Sequence, residues 1–182
     1  MVRTLFRVSV AAGVFCAAIF GTALTPAIAA PTAGPVPTVV PGSSSAGEAS
    51  PNASTYSGAS ADAAAATCAF NQAGDYVHIS SSAFEASGHG WWVNIDCPPA
   101  TVAVVTVQLQ EYYSDNTWHN VGTVGRATVA SGGGSGNRAT GRGACTGSAL
   151  ASWRSVIDVD LVGLSDDASK LTTSYKNLNC TL

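Results

Sequence analysis

Residues 101–124 constrain the fold most, because apolar and polar residues alternate there on both sides of a short polar stretch. Side chains of a β-strand point to opposite faces in turn, so this pattern predicts a hairpin with one face in a core and one towards water. The polar stretch 114–116 predicts a turn of three or five residues. An odd loop length predicts four facing pairs, Val107–Thr123, Leu109–Val121, Glu111–His119 and Tyr112–Trp118. The first strand is longer than most strands, which favours a bend or bulge.

The amino-terminal residues 1–29 have the pattern of a signal peptide. Arg3 and Arg7 supply positive charge, an apolar run follows at 8–24, and small residues at 27–29 match a cleavage site. The apolar run is shorter than a membrane span, and the bulky residue before Cys16 argues against lipid attachment. The pattern predicts a secreted, extracellular protein without a membrane segment after processing.

Two further regions follow the signal. Residues 30–66 are rich in Pro, Ala, Ser and Gly and poor in large apolar residues, which is typical of a disordered linker. Residues 67–182 have the length and composition of one folded domain.

Four cysteines remain after processing, and an even number in a small exported domain predicts two disulfides. One pair falls in each half of the domain, so we expect Cys68–Cys97 and Cys145–Cys180 among the three possible pairings. Zinc is the rival use of these cysteines, but their spacing lacks the C-x2-C of zinc sites.

Short alternating segments recur through the domain, and no segment has helical periodicity. Residues 75–81, 91–97 and 148–163 each predict a strand, and 171–176 predict the last one. In 91–97 the pattern places Trp91, Val93 and Ile95 inward and Trp92 outward. Strands separated by turns favour an all-β, antiparallel, immunoglobulin-like β-sandwich with two disulfides, preceded by the linker.

The Cys97-Pro98-Pro99 run, the strand at 104–109, Trp118 and the later Trp153-Arg154 resemble the small secreted β-sandwich proteins of actinomycetes. That resemblance implies fold and export, and it implies no catalytic residues. Secreted subtilisin inhibitors share the size and the two disulfides, but their first cysteine pair is more closely spaced than Cys68 and Cys97.

The charge balance of the chain argues against nucleic acid or an anionic membrane as a partner. Acidic residues number 11 and basic residues 8, and two of the basic ones leave with the signal. Phosphate binding needs clustered Lys and Arg, which this sequence lacks. A glycan or another protein is the expected partner.

Three aromatic residues form the candidate binding site. The predicted register places Tyr112 beside Trp118 on the polar face of the hairpin, and Trp92 also points away from its apolar side. Exposed aromatic rings stack on sugars or anchor protein partners. The alternative is that a second sheet covers these rings as core.

A hydrolytic site is the second hypothesis, with His78, His119 and Glu111 as acid and base groups. A surface pair between Glu111 and His119 explains that placement equally well. Calcium would need a shaped loop, and the acidic pairs 158/160 and 166/167 have no such spacing, so no metal or cofactor is expected.

The sequence thus favours a secreted, non-enzymatic β-sandwich protein that binds a ligand or serves a structural role. A small secreted hydrolase is one alternative. A secreted inhibitor or toxin-like effector acting through the Gly-rich loop at 131–137 is another.

Overall fold

Antiparallel strands form the whole of the described fold, which contains no helix. The structure is a computed structural model that describes residues 33–42, 56–58, 68–166 and 168–182. The strands are β1 (Tyr56–Gly58), β2 (Phe70–Gly74), β3 (His78–Ile79), β4 (Glu85–Asn94), β5 (Val102–Tyr112), β6 (Trp118–Ala130), β7 (Ala139–Ala144), β8 (Gly147–Leu161), β9 (Leu171–Thr172) and β10 (Lys176–Thr181). The predicted signal peptide, with Cys16, lies outside the described residues.

One hydrogen-bonded path connects the strands in the order β1-β2-β4-β7-β6-β5-β8-β10, with β3 on β4 and β9 on β8. The path curls so that β4 packs against β5 and β8. Gly88 lies against Leu109, and Gly90 lies against Val107 and Ile157. The all-β, antiparallel fold is therefore confirmed. The immunoglobulin-like sandwich is not confirmed, because these strands form one continuous path instead of two separate sheets.

The central hairpin of β5 and β6 has the predicted register near its turn. Leu109 faces Val121, Glu111 faces His119 and Tyr112 faces Trp118. The Tyr113 amide donates to the Thr117 carbonyl at 3.0 Å, which leaves a three-residue loop. Asn116 in that loop has φ 62°, a left-handed conformation that Asn adopts readily.

Farther from the turn, the hairpin has an irregularity whose extra residues lie in β6 instead of the first strand, where it was expected, and the predicted pair Val107–Thr123 is wrong. Val107 faces Gly125 instead, because the register shifts between Val107 and Leu109. Thr123 is thereby free to pair with Arg142 of β7. At the bulge, β6 pairs with β5 along one edge and with β7 along the other.

The faces of β4 are the reverse of the prediction. Trp92 is fully buried, whereas Val93 and Ile95 are exposed. The Trp92 indole donates to the Val129 carbonyl at 3.1 Å, and its ring meets Phe70 edge-on at 6.3 Å. The inward face of β4 consists of the small residues Ala86, Gly88 and Gly90, followed by Trp92. Because these residues alternate along the strand, Trp92 points into the core at its end.

Both predicted disulfides are confirmed, Cys68–Cys97 and Cys145–Cys180. The first joins the start of β2 to the turn after β4, and the second joins the start of β8 to the end of β10. Each bond therefore links two strands that are neighbours in the sheet.

Part of the predicted linker belongs to the folded domain. Residues 36–40 lie between the diverging ends of β5 and β8. The Thr38 amide donates to the Tyr112 carbonyl at 2.8 Å, and the Thr38 carbonyl accepts from the Ser152 amide at 3.0 Å. Strand β1 also pairs with β2. Residues 36–40 and β1 therefore make backbone contacts with the domain within the stretch predicted as a linker, of which 30–32, 43–55 and 59–66 lie outside the described residues.

Candidate functional site

The three predicted binding aromatics do not share one surface. Trp92 is in the core and cannot contact a ligand in this state. Tyr112 is 8% exposed, and Trp118 beside it is half-buried. Their ring centroids lie 5.2 Å apart at an interplanar angle of 60°. The predicted pair is therefore real, with Trp118 as its accessible member.

Two residues from other parts of the chain complete the surroundings of Trp118. The Arg154 guanidinium lies 4.2 Å from the Trp118 ring centroid, a cation–π geometry. The Tyr175 ring lies 6.2 Å from the Trp118 ring and is 42% exposed. Burial lowers the pKa of Arg154, but a guanidinium stays protonated at neutral pH.

Amide side chains continue this surface along the sheet. The Arg154 Nε donates to Gln110 Oε1 at 2.8 Å, and Gln110 Nε2 donates to Asn120 Oδ1 at 2.8 Å. We call this surface the hairpin face, and it comprises Gln110, Tyr112, Trp118, Asn120, Arg154 and Tyr175. It presents aromatic rings, hydrogen-bonding amides and one fixed positive charge.

The predicted catalytic trio is not brought together as a working site. Glu111 is fully buried, whereas His119 lies at the surface, where its Nε2 is 2.8 Å from Asp115 Oδ2. His78 lies on β3, beside His89 and Asp75. Hydrolysis by His78, His119 and Glu111 therefore has no geometric support among the described contacts.

Glu111 is unusual for a different reason. Neither carboxyl oxygen has a hydrogen-bond partner of normal geometry among the described residues. Burial raises the pKa of Glu111 from 4.5 to about 7, and nearby polar groups of Leu182 and Tyr113 oppose that rise only in part. Glu111 is therefore a buried acid that keeps its proton at mildly acidic pH.

Two of the other acidic candidates, Asp158 and Asp166, have local structural partners. Asp158 lies 2.8 Å from the Lys170 ammonium. Asp166 accepts from the Leu161 amide, and burial raises its pKa. Asp167 lies outside the described residues. The Lys170 ammonium therefore already balances the negative charge of Asp158, which a calcium ion would otherwise do.

The Gly-rich loop at 131–137 is anchored at its amino-terminal side. The Gly132 amide donates to the Trp92 carbonyl at 2.8 Å, and Ser131 Oγ accepts from the Asn94 amide at 2.8 Å. Residues 133–136 are exposed. The loop is thus held on the sheet with only its tip available to a partner.

A cavity of about 340 Å³ lies at the junction of β6 and β7. Glu85 and Arg142 form an ion pair at its wall, and Gly122 and Gly143 leave space for it. Thr123 and Thr140 supply its hydroxyl groups. Its lining holds no nucleophile–base pair, so it has no catalytic arrangement among the described residues.

Comparison with known proteins finds no matching family model, no matching curated protein and no matching solved structure. The resemblance to secreted actinomycete β-sandwich proteins therefore stays a prediction. A search for membrane spans across the described residues finds no helix with the length and hydropathy to cross a bilayer.

Proposed function

We propose that this chain is a secreted, non-enzymatic protein that binds a glycan through the hairpin face. The observation that carries the proposal is the half-buried Trp118, whose ring lies 4.2 Å from the Arg154 guanidinium and 6.2 Å from the exposed Tyr175 ring. Aromatic rings offer flat apolar surfaces for the C–H faces of sugars. The neighbouring amides of Gln110 and Asn120 suit sugar hydroxyls, which both donate and accept hydrogen bonds.

The ring arrangement favours a glycan because the site is already organised before binding. Arg154 holds one side of Trp118 and is itself held by Gln110. A preformed site avoids the cost of ordering side chains on binding. The exposed ring of Tyr175 extends the surface beside Trp118, which suits a chain of sugars more than a single ring.

Export and the immunoglobulin-like architecture are part of the same proposal. Two disulfides support export, because such bonds persist mainly in oxidising compartments. Face-to-face packing of β4 on β5 and β8 supports a sandwich-like interior. The unbroken path through β7 and β6 distinguishes it from a sandwich of two independent sheets.

A pull-down with insoluble polysaccharides tests the proposal. The purified oxidised protein is incubated with cellulose, chitin and peptidoglycan, and the retained fraction is measured for native protein and for Trp118→Ala. We expect retention on at least one polysaccharide and about tenfold weaker binding of the variant, as for a stacking contact worth about 1.4 kcal/mol.

Phe84→Ala provides the matched control. Phe84 is 56% exposed and makes no ring contact with the hairpin face among the described residues. It should bind as the native protein does. Absence of retention on all three polysaccharides, or equal losses for the two variants, would contradict the proposal.

A further inference from the structure

Asp75, His78 and His89 form a cluster that lies apart from the hairpin face and shares no residue with it. One potential ligand atom of each residue lies within 4.8 Å of those of the other two. The sheet register brings them together, because His78 faces Ser87 across β3 and β4 and His89 follows two residues later. The Asp75 amide donates to the His89 carbonyl at 3.2 Å, which places Asp75 beside His89.

Hydrogen bonds determine the tautomer of both histidines. His89 Nδ1 lies 2.6 Å from Asp75 Oδ2, and His78 Nδ1 lies 3.2 Å from the Tyr76 carbonyl oxygen. A carboxylate or carbonyl oxygen can only accept, so each Nδ1 carries the hydrogen. Each neutral ring then has its lone pair on Nε2.

These two Nε2 atoms are available. No hydrogen bond to either is formed within the part of the chain that the structure describes. The two ring centroids lie 5.2 Å apart with an interplanar angle of 32°. A structural role explains the Asp75–His89 bond, but it does not explain a second imidazole placed beside the first with its own Nδ1 held.

We propose that His78 and His89 bind a divalent transition metal ion of the zinc and copper type through their Nε2 atoms. Metal-bound histidines usually donate their other ring N–H to a carboxylate or a backbone carbonyl, and both arrangements are present here. Asp75 is the positioning residue, since Asp75 Oδ1 also accepts from the His89 amide at 2.7 Å. Water or another ligand of the metal would complete the coordination.

Coordination of one ion sets the distance between its two histidine ligand atoms. Zinc–nitrogen bonds of about 2.0–2.1 Å place tetrahedral ligand atoms about 3.3 Å apart. The potential ligand atoms of the cluster lie within 4.8 Å of one another, so a pair at the upper end of that range must come closer. His78 is half-buried and on a two-residue strand, so its ring is the one that can turn.

Calorimetric titration with Zn²⁺ tests the site in the full oxidised chain without a histidine tag. The sequence has three histidines, so His119→Gln is a matched control outside the cluster. We expect binding of one ion by native protein and by H119Q, and no measurable binding by His78→Gln. Asp75→Asn should bind about tenfold more weakly, as is usual when the support of a ligand histidine is removed.

Imidazole ¹⁵N spectra provide a readout that folding effects do not imitate. Zn²⁺ should shift the Nε2 signals of His78 and His89 and leave both Nδ1–H signals and the His119 ring unchanged. No Zn²⁺ binding by the native chain, native-like binding by H78Q, or shifts at Nδ1 instead of Nε2 would each overturn the proposal.

Discussion

Glu111→Gln should stabilise the protein at neutral pH and remove part of its pH dependence. The carboxyl is fully buried on the inner side of β5, and burial raises its pKa from 4.5 to about 7. Each pKa unit corresponds to about 1.36 kcal/mol, so full ionisation in the folded state costs about 3 kcal/mol relative to the unfolded chain. Glutamine has nearly the same shape and never ionises.

The sign follows from the proton count. Between pH 4.5 and about 7 the folded protein keeps a proton on Glu111 that the unfolded chain has released. The free energy of unfolding that depends on Glu111 is therefore fully present below pH 4.5 and is lost as the pH rises through about 7. The Gln variant does not lose it. Its advantage over native protein should grow from near zero at pH 4.5 to about 3 kcal/mol at pH 8.

Urea unfolding of the oxidised protein at pH 4.5, 6, 7 and 8, followed by tryptophan fluorescence, measures this difference. The comparison between variant and native protein at each pH cancels the contributions of the other titrating groups. Glu85→Gln is the control, because that carboxylate is paired with Arg142 and is partly exposed. A constant difference between Glu111→Gln and native protein across the pH range would refute the reasoning.

Three further predictions concern the fold. Gly90→Ala should destabilise the protein by about 1–3 kcal/mol, because its new Cβ would lie 2.8 Å from two side chains of the opposite layer. Gly134→Ala is the control, because its new Cβ meets nothing within 4 Å. Similar melting temperatures of the two variants would count against the packing described. Replacing both Cys145 and Cys180 by Ser opens a loop with a sequence separation of 35 and should cost about 3–4 kcal/mol in urea unfolding. Asn116→Val should cost about 1–2 kcal/mol because of its φ of 62°, and Asn116→Gly should be tolerated; the paired urea midpoints check this.

The features predictable from sequence were those set by local pattern. The alternation around the turn was sufficient for the pairs Leu109–Val121 and Tyr112–Trp118 and for an odd loop length, and Asn116 in that loop has the left-handed conformation that Asn tolerates. The disulfides followed from the position of the cysteines in the two halves of the domain. Each of these inferences needs only neighbouring residues or simple counting.

The failures occurred where tertiary packing reverses a local signal. Gly88 and Gly90 are typical of a loop, but in β4 they allow Leu109 and Ile157 to approach the backbone. The strand at Ala139–Ala144, also rich in glycine, was missed for the same reason. Trp92 was consequently assigned to the wrong face.

The candidate sites were only half predictable. Register placed Tyr112 beside Trp118, but Arg154 and Tyr175 reach Trp118 only because β8 and β10 follow β5 in the sheet. Strand order is not encoded in any local alternation. The Asp75 cluster likewise depends on how β3 pairs with β4.

The docked residues 36–40 have a consequence for how the domain would be oriented on a support. Val36 exchanges hydrogen bonds with Ser114 at the hairpin turn, and Val40 donates to Ser152 Oγ on β8. The amino-terminal part of this docked segment therefore lies at the hairpin turn, and Trp118 begins the strand that follows that turn. An attachment through residues 36–40 would therefore load the β5–β6 tip close to Trp118, and Leu182, whose backbone lies beside Glu111, is near the same tip.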